Sequence, residues 1–243
     1  MRLLVTGATG YLGSELVRRS DARGVSSRDF DVRDAATVER GLAGFDTVIH
    51  TAYRQDPPDA WTVNVDGSRN VARAARGVRL IHVSTDVVFD GTLGGPYVES
   101  DEPAPPHDYG RSKAAAEAAV REEHPDALIV RTSLLYGGPQ PSKHELAAWD
   151  PSLTFYEDEL RNPVQVGDLA DALLELARGD VRGVLHVAGA DAVSRCEFAR
   201  LIAGDRVRCA PAPAGRPLDC RLDCSLARSL LATRLRGVHE VLA

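Results

Sequence analysis

The stretch TGATGYLG, residues 6–13, decides the fold. It sets Gly7, Gly10 and Gly13 in G-x-x-G-x-x-G spacing, between a strand-like apolar run, RLLVTGA (2–8), and a helical pattern over 11–20. The first glycine allows a tight turn, the second lets backbone approach a pyrophosphate, and the third permits close helix–strand packing. A helix opening at residue 11 would aim its free N–H groups at that anion. In this setting a glycine-rich turn predicts the phosphate end of a dinucleotide site.

Outward from that turn, DTVIHTA (46–52), VRLIHVST (78–85), ALIVRTS (127–133) and GVLHVAG (183–189) read as buried strands. They are continuously apolar rather than alternating, which suits a parallel sheet covered on both faces. Helical patterns lie between them, at 34–43, 59–76, 109–123 and within 164–179. The alternation predicts an α/β fold with a doubly wound, Rossmann-like parallel sheet. Only 17 residues separate Gly13 from Asp31, so the second strand must be short and is expected around RGVSS (23–27). Proline and glycine gather at 137–141 and again in APAPAGRP (210–217), where a second lobe can leave and re-enter the sheet. The expected division is a dinucleotide-binding domain, 1–136 plus 164–188, and a small C-terminal substrate lobe, 137–163 plus 189–243.

Composition narrows the function. A net charge of −6 without a basic block argues against nucleic-acid binding. No run approaches the roughly 18 apolar residues needed to cross a membrane, and the N-terminal run lacks the apolar length of a secretion signal. A cytoplasmic setting is expected, with Cys196, Cys209, Cys220 and Cys224 as reduced thiols. Cys220 and Cys224 lack the spacing and companion histidines of a zinc site, so no metal is expected. His50, His82 and His186 fall inside apolar strands and read as hydrogen-bonded core histidines. Arg121 to Glu123 read as helix surface. Trp149 reads as a substrate cover or a loop anchor.

Only two of the 29 basic side chains are lysines, Lys113 and Lys143. The first sits four residues after a tyrosine, in YGRSK (109–113), a pairing expected roughly 0.05 times by chance for this composition. On a helix the two side chains share a face. A phenol with a pKa of about 10 is a poor proton donor or acceptor at neutral pH; an adjacent ammonium would bring it toward working pH. Such a tyrosine can protonate a carbonyl oxygen as hydride reaches its carbon. A steadying hydroxyl is available from Ser84 or Thr85, at the end of a predicted strand, where α/β sheets assemble their sites.

With TGATGYLG, NVDGSRNVARAA (64–75), STDVVFDG (84–91), YGRSK, RTSLLYG (131–137), RNPVQVGDLADALLEL (161–176) and RPLDCRLDCS (216–225), the chain resembles the extended short-chain dehydrogenases/reductases. More narrowly it is similar to the branch of dTDP-4-dehydrorhamnose reductases and the regulatory β subunit of methionine adenosyltransferase. The resemblance implies Tyr109 as proton donor, Lys113 as its ribose-binding partner and Thr85 as the hydroxyl that orients the oxyanion. It implies cofactor contacts at Gly7, Thr9, Gly10, Tyr11, Leu12, Gly13, Ala52, Tyr53 and Ser84. Asp86, Val87, Thr132, Ser133, Leu134 and Arg216 would lie toward the substrate. Val87 and Leu134 stand where rhamnose-forming reductases carry aromatics, which implies a reshaped sugar wall. Asn64 would join a proton relay or hold backbone groups together.

Arg28, flanked by Ser26 and Ser27 after the second strand, is placed to accept a 2′-phosphate, which favours NADP(H) with NAD(H) as the alternative. The expected activity is reduction of a ketone, most plausibly C4 of a 4-keto sugar nucleotide, by a chain that acts alone or as a homodimer. A non-catalytic NADP-binding regulatory subunit and a nucleotide-sugar epimerase share the same motifs.

Overall fold

The computed structural model describes residues 1–56 and 58–242. The chain runs β1 (Leu3–Thr6), α1 (Tyr11–Arg18), β2 (Arg23–Val25), α2 (Ala35–Leu42), β3 (Thr47–His50), α3 (Gly67–Ala74), β4 (Arg79–Thr85), α4 (Asp108–Glu123) and β5 (Leu128–Thr132). It then leaves the sheet through β6 (Leu135–Tyr136), α5 (Lys143–Ala148), β7 (Thr154–Tyr156) and β8 (Leu160–Arg161). It returns by β9 (Val164–Gln165), α6 (Val166–Leu176) and β10 (Gly183–His186). The chain closes with β11 (Val193–Ser194), α7 (Arg195–Ala203), β12 (Arg208–Ala210), α8 (Ser225–Leu230) and α9 (Val238–Leu242).

The main sheet has six strands in the order β10-β5-β4-β3-β1-β2, every pair parallel. The order reverses between β1 and β3, and ligands of open α/β sheets bind outside the strand ends at such a reversal. Among the described residues no strand flanks β2 on its outer side. The cramped stretch after Gly13 explains this: residues 26–34 spend themselves in turns, capped where Asp34 accepts from the N–H groups of Ala36 and Thr37. β1, β3 and β5 are buried along their whole length, and their apolar side chains fill cores on both faces of the sheet. Each fully buried leucine or isoleucine there is worth roughly 1.5–3 kcal/mol of burial.

The segments 135–165 and 193–210 form three two-stranded pairs, β6 with β9, β7 with β12, and β8 with β11. The expected helix over 59–76 divides into a π-helical turn, Thr62–Asp66, and α3. Glu123 is buried rather than on a bare helix surface: it accepts from Arg73 at 2.6 Å and Arg76 at 2.7 Å, which ties α4 to the end of α3. Among the cysteines the expectation of four thiols is corrected. Cys196 and Cys209 are joined as a disulfide with Cα atoms 5.6 Å apart, and only Cys220 and Cys224 are free. Among the described residues no helix is long and apolar enough to cross a membrane.

Candidate active site

The glycine turn is built for close approach. Gly7 sits at φ +70°, and a Cβ there would lie 2.7 Å from the Ala52 nitrogen at the end of β3. A Cβ on Gly13 would collide with the Gly7 carbonyl oxygen. The N-cap of α1 is Gly10, with no side-chain cap, so the first-turn N–H groups stay available. A cavity of about 370 Å³ opens here, lined by Gly7, Thr9, Gly10, Ser26, Ser27, Asp31, Val32, Arg33, Ala52, Tyr53 and Arg54 among others. An uncapped helix start over a glycine turn at a sheet reversal, flanked by a cavity, fits the pyrophosphate and adenosine half of a dinucleotide.

Several of the expected cofactor residues meet this cavity and others do not. Gly7, Thr9, Gly10, Ala52 and Tyr53 line it. Leu12 packs into the core beneath, so its backbone alone faces the turn. The Tyr11 hydroxyl is drawn away from the turn: it accepts from Gly138 N at 2.7 Å and donates to Glu145 at 3.3 Å. Burial, with Glu145 adding to it, pushes that phenol up to about 12. Arg28 is exposed and outside the lining, whereas Arg33 and Arg54 are inside it. Arg33 bonds Asp31 at 2.6 Å and lies 3.3 Å from Asp59. The stretch FDVRD (30–34) was the available signal, an acidic residue and an arginine just past β2.

Strand geometry divides Ser84 from Thr85, because successive side chains on β4 point to opposite faces. Ser84 is turned under α4, donating to Glu117 at 2.5 Å, and is not at the cofactor cleft. Thr85 ends the strand on the cleft side, half-buried, its hydroxyl 3.2 Å from Asp86 Oδ1. It lies in register with Thr132 on β5, whose buried hydroxyl has no hydrogen-bond partner.

α4 carries the tyrosine and the lysine, and Gly110 lets it approach: a Cβ there would strike the Val87 carbonyl oxygen. Tyr109 is half-buried beside Tyr53, ring centroids 6.0 Å apart, and among the described residues its hydroxyl has no protein partner. Burial, then Tyr53 and Asp86, push the phenol well above the ordinary tyrosine range. The expectation that Lys113 lowers it is corrected: the phenol is raised, and the ammonium is not among the groups that move it. Lys113 is buried, donates to the Val83 carbonyl at 2.7 Å, and is itself lowered to about 8 by burial, against a small opposing pull from Glu117.

Beneath these residues lies a buried ion pair that no sequence pattern announced. Arg131 donates to Glu117 at 2.9 Å, and both side chains are shut off from solvent. The core histidines follow expectation in two cases. His50 bonds Thr6 at 2.6 Å and Ser68 at 3.1 Å, and His186 bonds the Tyr97 carbonyl at 3.1 Å. His82 departs from it: both ring nitrogens are buried without partners, and burial with the nearby Lys113 charge keeps the ring neutral. Asn64 bonds both backbone groups of Arg54 at 2.8 Å and Ser112 at 2.9 Å, the backbone-holding alternative.

On the substrate side, Asp86 is buried, accepts from Ser133 at 2.6 Å and lies 3.7 Å from Arg161. Both Asp86 and Ser133 are therefore occupied by the protein. Val87 is half-buried near the cleft. Leu134 is buried and packs with Tyr136, Val193, Phe198 and Val238. Arg216 is half-exposed, bonded to Glu159 and lying over the Tyr156 ring at 4.7 Å. Trp149 is exposed with Arg206 stacked on it at 4.8 Å, which makes it an anchor between α5 and the turn before β12. The second lysine also reaches the cleft. Lys143 bonds Gln55 and lies 5.9 Å from the Tyr53 ring, so the second lysine borders a residue of the cavity lining. Only the scarcity of lysine in the sequence hinted at this.

The family model described as RmlD substrate binding domain matches residues 1–243. The chain belongs to this family. It is 40% identical over 225 residues to the dTDP-4-dehydrorhamnose reductase of Mycobacterium tuberculosis, covering 83% of this chain and 74% of that one. It is 36% identical to the protein of the same name from Mycolicibacterium smegmatis, across 99% of this chain and 84% of the relative. Among solved structures, the dTDP-4-dehydrorhamnose reductase of Bacillus anthracis in complex with NADP superposes with a TM-score of 0.88 at 27% identity, covering 99% and 96% of the two chains. Membership of the family agrees with the doubly wound sheet, the uncapped α1 and the Tyr109–Lys113 pair.

Proposed function

We propose that this protein is an NADP(H)-dependent reductase of a 4-keto sugar nucleotide, of the dTDP-4-dehydrorhamnose reductase kind, working in the cytoplasm. The observation that carries the reading is Tyr109, whose hydroxyl has no protein partner among the described residues and whose ring lies 6.0 Å from that of Tyr53, a residue lining the cavity at the uncapped α1 turn. Bound in that cleft, a reduced nicotinamide supplies the hydride. The chain supplies the rest. A phenol raised by burial stays protonated through the neutral range, which suits a group that donates its proton to a ketone oxygen. Thr85 steadies that oxygen from the strand end, and Thr132 offers a second hydroxyl that no protein group occupies. Lys113 positions ribose hydroxyls. The segments 137–163 and 189–243 form the substrate lobe, with Arg216 toward the diphosphate. The test is NADPH consumption by the purified chain with dTDP-4-dehydrorhamnose. Absence of turnover with that and related 4-keto sugar nucleotides would end the reading.

We infer that Arg33 and Arg54, which line the cavity, hold the 2′-phosphate rather than the exposed Arg28. Arg33→Met is expected to lower the NADPH-over-NADH preference by about tenfold, the loss of one charge-assisted contact, while Arg28→Met leaves it unchanged. The ratio of kcat/KM for the two cofactors measures this directly.

The pH dependence follows from Lys113. Its ammonium is charged below about 8 and lost above it. The phenol above it remains protonated over the same range, so it adds no limb there. kcat/KM is therefore expected to be flat near neutrality and to fall as pH rises through about 8. A flat profile to pH 10 or so would show that the Lys113 charge is not used.

A further inference from the structure

A second cluster of chemistry lies away from the cleft, where α7, β7 and β12 meet. Cys196 is in the first turn of α7 and is buried; Cys209 is in the middle of β12. Parallel pairing sets Cys209 beside Phe155 on β7, and Glu157 N donates to the Ala210 carbonyl at 3.1 Å, so the Glu157 side chain follows the cysteine along the same edge. The two sulfurs and a Glu157 carboxylate oxygen all lie within 4.8 Å of one another. That carboxylate is exposed, and among the described residues it makes no ion pair or hydrogen bond. Glu157, Ser194, Cys196, Glu197, Arg200 and Leu201 line an open cavity of about 490 Å³, which gives a small ion access to the cluster.

We propose that, when the Cys196–Cys209 disulfide is reduced, these two cysteines and Glu157 form a binding site for a thiophilic divalent cation of the zinc class. Zinc holds thiolates at about 2.3 Å and carboxylate oxygen at about 2.0–2.2 Å, so its tetrahedral ligands stand about 3.5–3.8 Å apart. Once the sulfur–sulfur bond opens, small side-chain rotations bring the three groups to that spacing, and water takes the fourth position. The apolar packing of Ala148, Phe155, Ala199 and Val207 around the sulfurs excludes water behind the site and strengthens metal–thiolate bonds. In a reducing compartment the dithiol is the expected form, and a bound cation would then tie α7 to β12 as the disulfide does in its absence. The Cys196–Cys209 pair is separated by 13 positions, a gap that no short metal-binding motif would reveal.

The balance is simple. A phosphine and water convert the disulfide to two thiols and the phosphine oxide; the cation then displaces one proton from each thiol.

The experiment uses the full chain, stripped with a chelator, reduced with a phosphine and titrated with Co²⁺ and then Zn²⁺. The expected result is a sulfur-to-cobalt charge-transfer absorption that saturates at a single bound ion and is bleached by Zn²⁺. The oxidised chain should show no such band. Cys209→Ser and Cys196→Ser should each lose it. Glu157→Gln, an exposed substitution that leaves packing intact, should keep the band but weaken affinity by about tenfold or more. No band in the reduced protein, a band that survives Cys209→Ser, or unchanged affinity in Glu157→Gln would each overturn the three-ligand site. Turnover plays no part in these readouts, so failure of the reductase reading leaves them intact.

Discussion

Tyr109→Phe is expected to lower kcat by about 10²–10⁴-fold, the range that positioned proton transfer supplies, while NADPH still binds with nearly unchanged affinity. The reason is geometric. Among the described residues the hydroxyl makes no bond to the protein, so its removal disturbs no packing, and the ring keeps its place 6.0 Å from Tyr53. Only the proton is lost. Fluorescence titration with NADPH checks the binding, and steady-state turnover checks the chemistry. Thr85→Val separates the two contributions: it removes the orienting hydroxyl and leaves the proton donor, and should cost less than the tyrosine substitution. Turnover unaffected by Tyr109→Phe would remove the phenol from the mechanism and leave the site with no proton donor of the right reach.

Glu117→Leu is expected to cost about 3–5 kcal/mol of stability, because it strands the Arg131 guanidinium in a dry interior. The carboxylate accepts from Arg131 and from Ser84, and no solvent reaches either partner of the ion pair. Urea unfolding should show a lower midpoint with an unchanged slope. Adding Arg131→Met to that variant should restore much of the loss, since an apolar pair of similar volume needs no desolvated charge. Activity is expected to follow the same pattern more steeply. Glu117 is one turn beyond Lys113 on α4 and clamps the helix to β4 and β5, so it sets where Tyr109 stands above the cleft. A Glu117→Leu variant as stable as the parent would mean that water reaches Arg131 and that the clamp is not a closed one.

Much of this architecture was legible before any coordinates. The main-sheet strands are short apolar runs between turn signals, a pattern with few alternatives, and each expected run contains a strand of the sheet. The glycine turn was legible because its spacing answers to backbone contacts that lie close in sequence. Tyr109 and Lys113 were legible because helix geometry alone puts residues four apart on one face. The errors lie where a side chain's direction matters. Ser84 and Thr85 are adjacent and chemically alike, and only the sense of the β4 pleat sends one to the cleft and the other to Glu117. Leu134 was read beside Val87 from sequence, and only the fold shows that the chain leaves the sheet just past β5 and packs Leu134 against Tyr136, Val193, Phe198 and Val238.

Electrostatics show the same limit. The motif implied a lysine that acidifies a tyrosine, but the effect depends on where the ammonium points, and here it points to the Val83 carbonyl. Arg28 lies three residues past β2 and Arg33 eight, yet the turns of 26–34 put the nearer one in solvent and the farther one in the cavity. Local order along the chain, through strand length, helix period and glycine placement, determined the doubly wound sheet and the position of the cleft. Tertiary packing alone decided which side chains face that cleft, joined Arg131 to Glu117 and brought Cys196 to Cys209, because those contacts form between residues that share no period and meet only when separate elements close on one another.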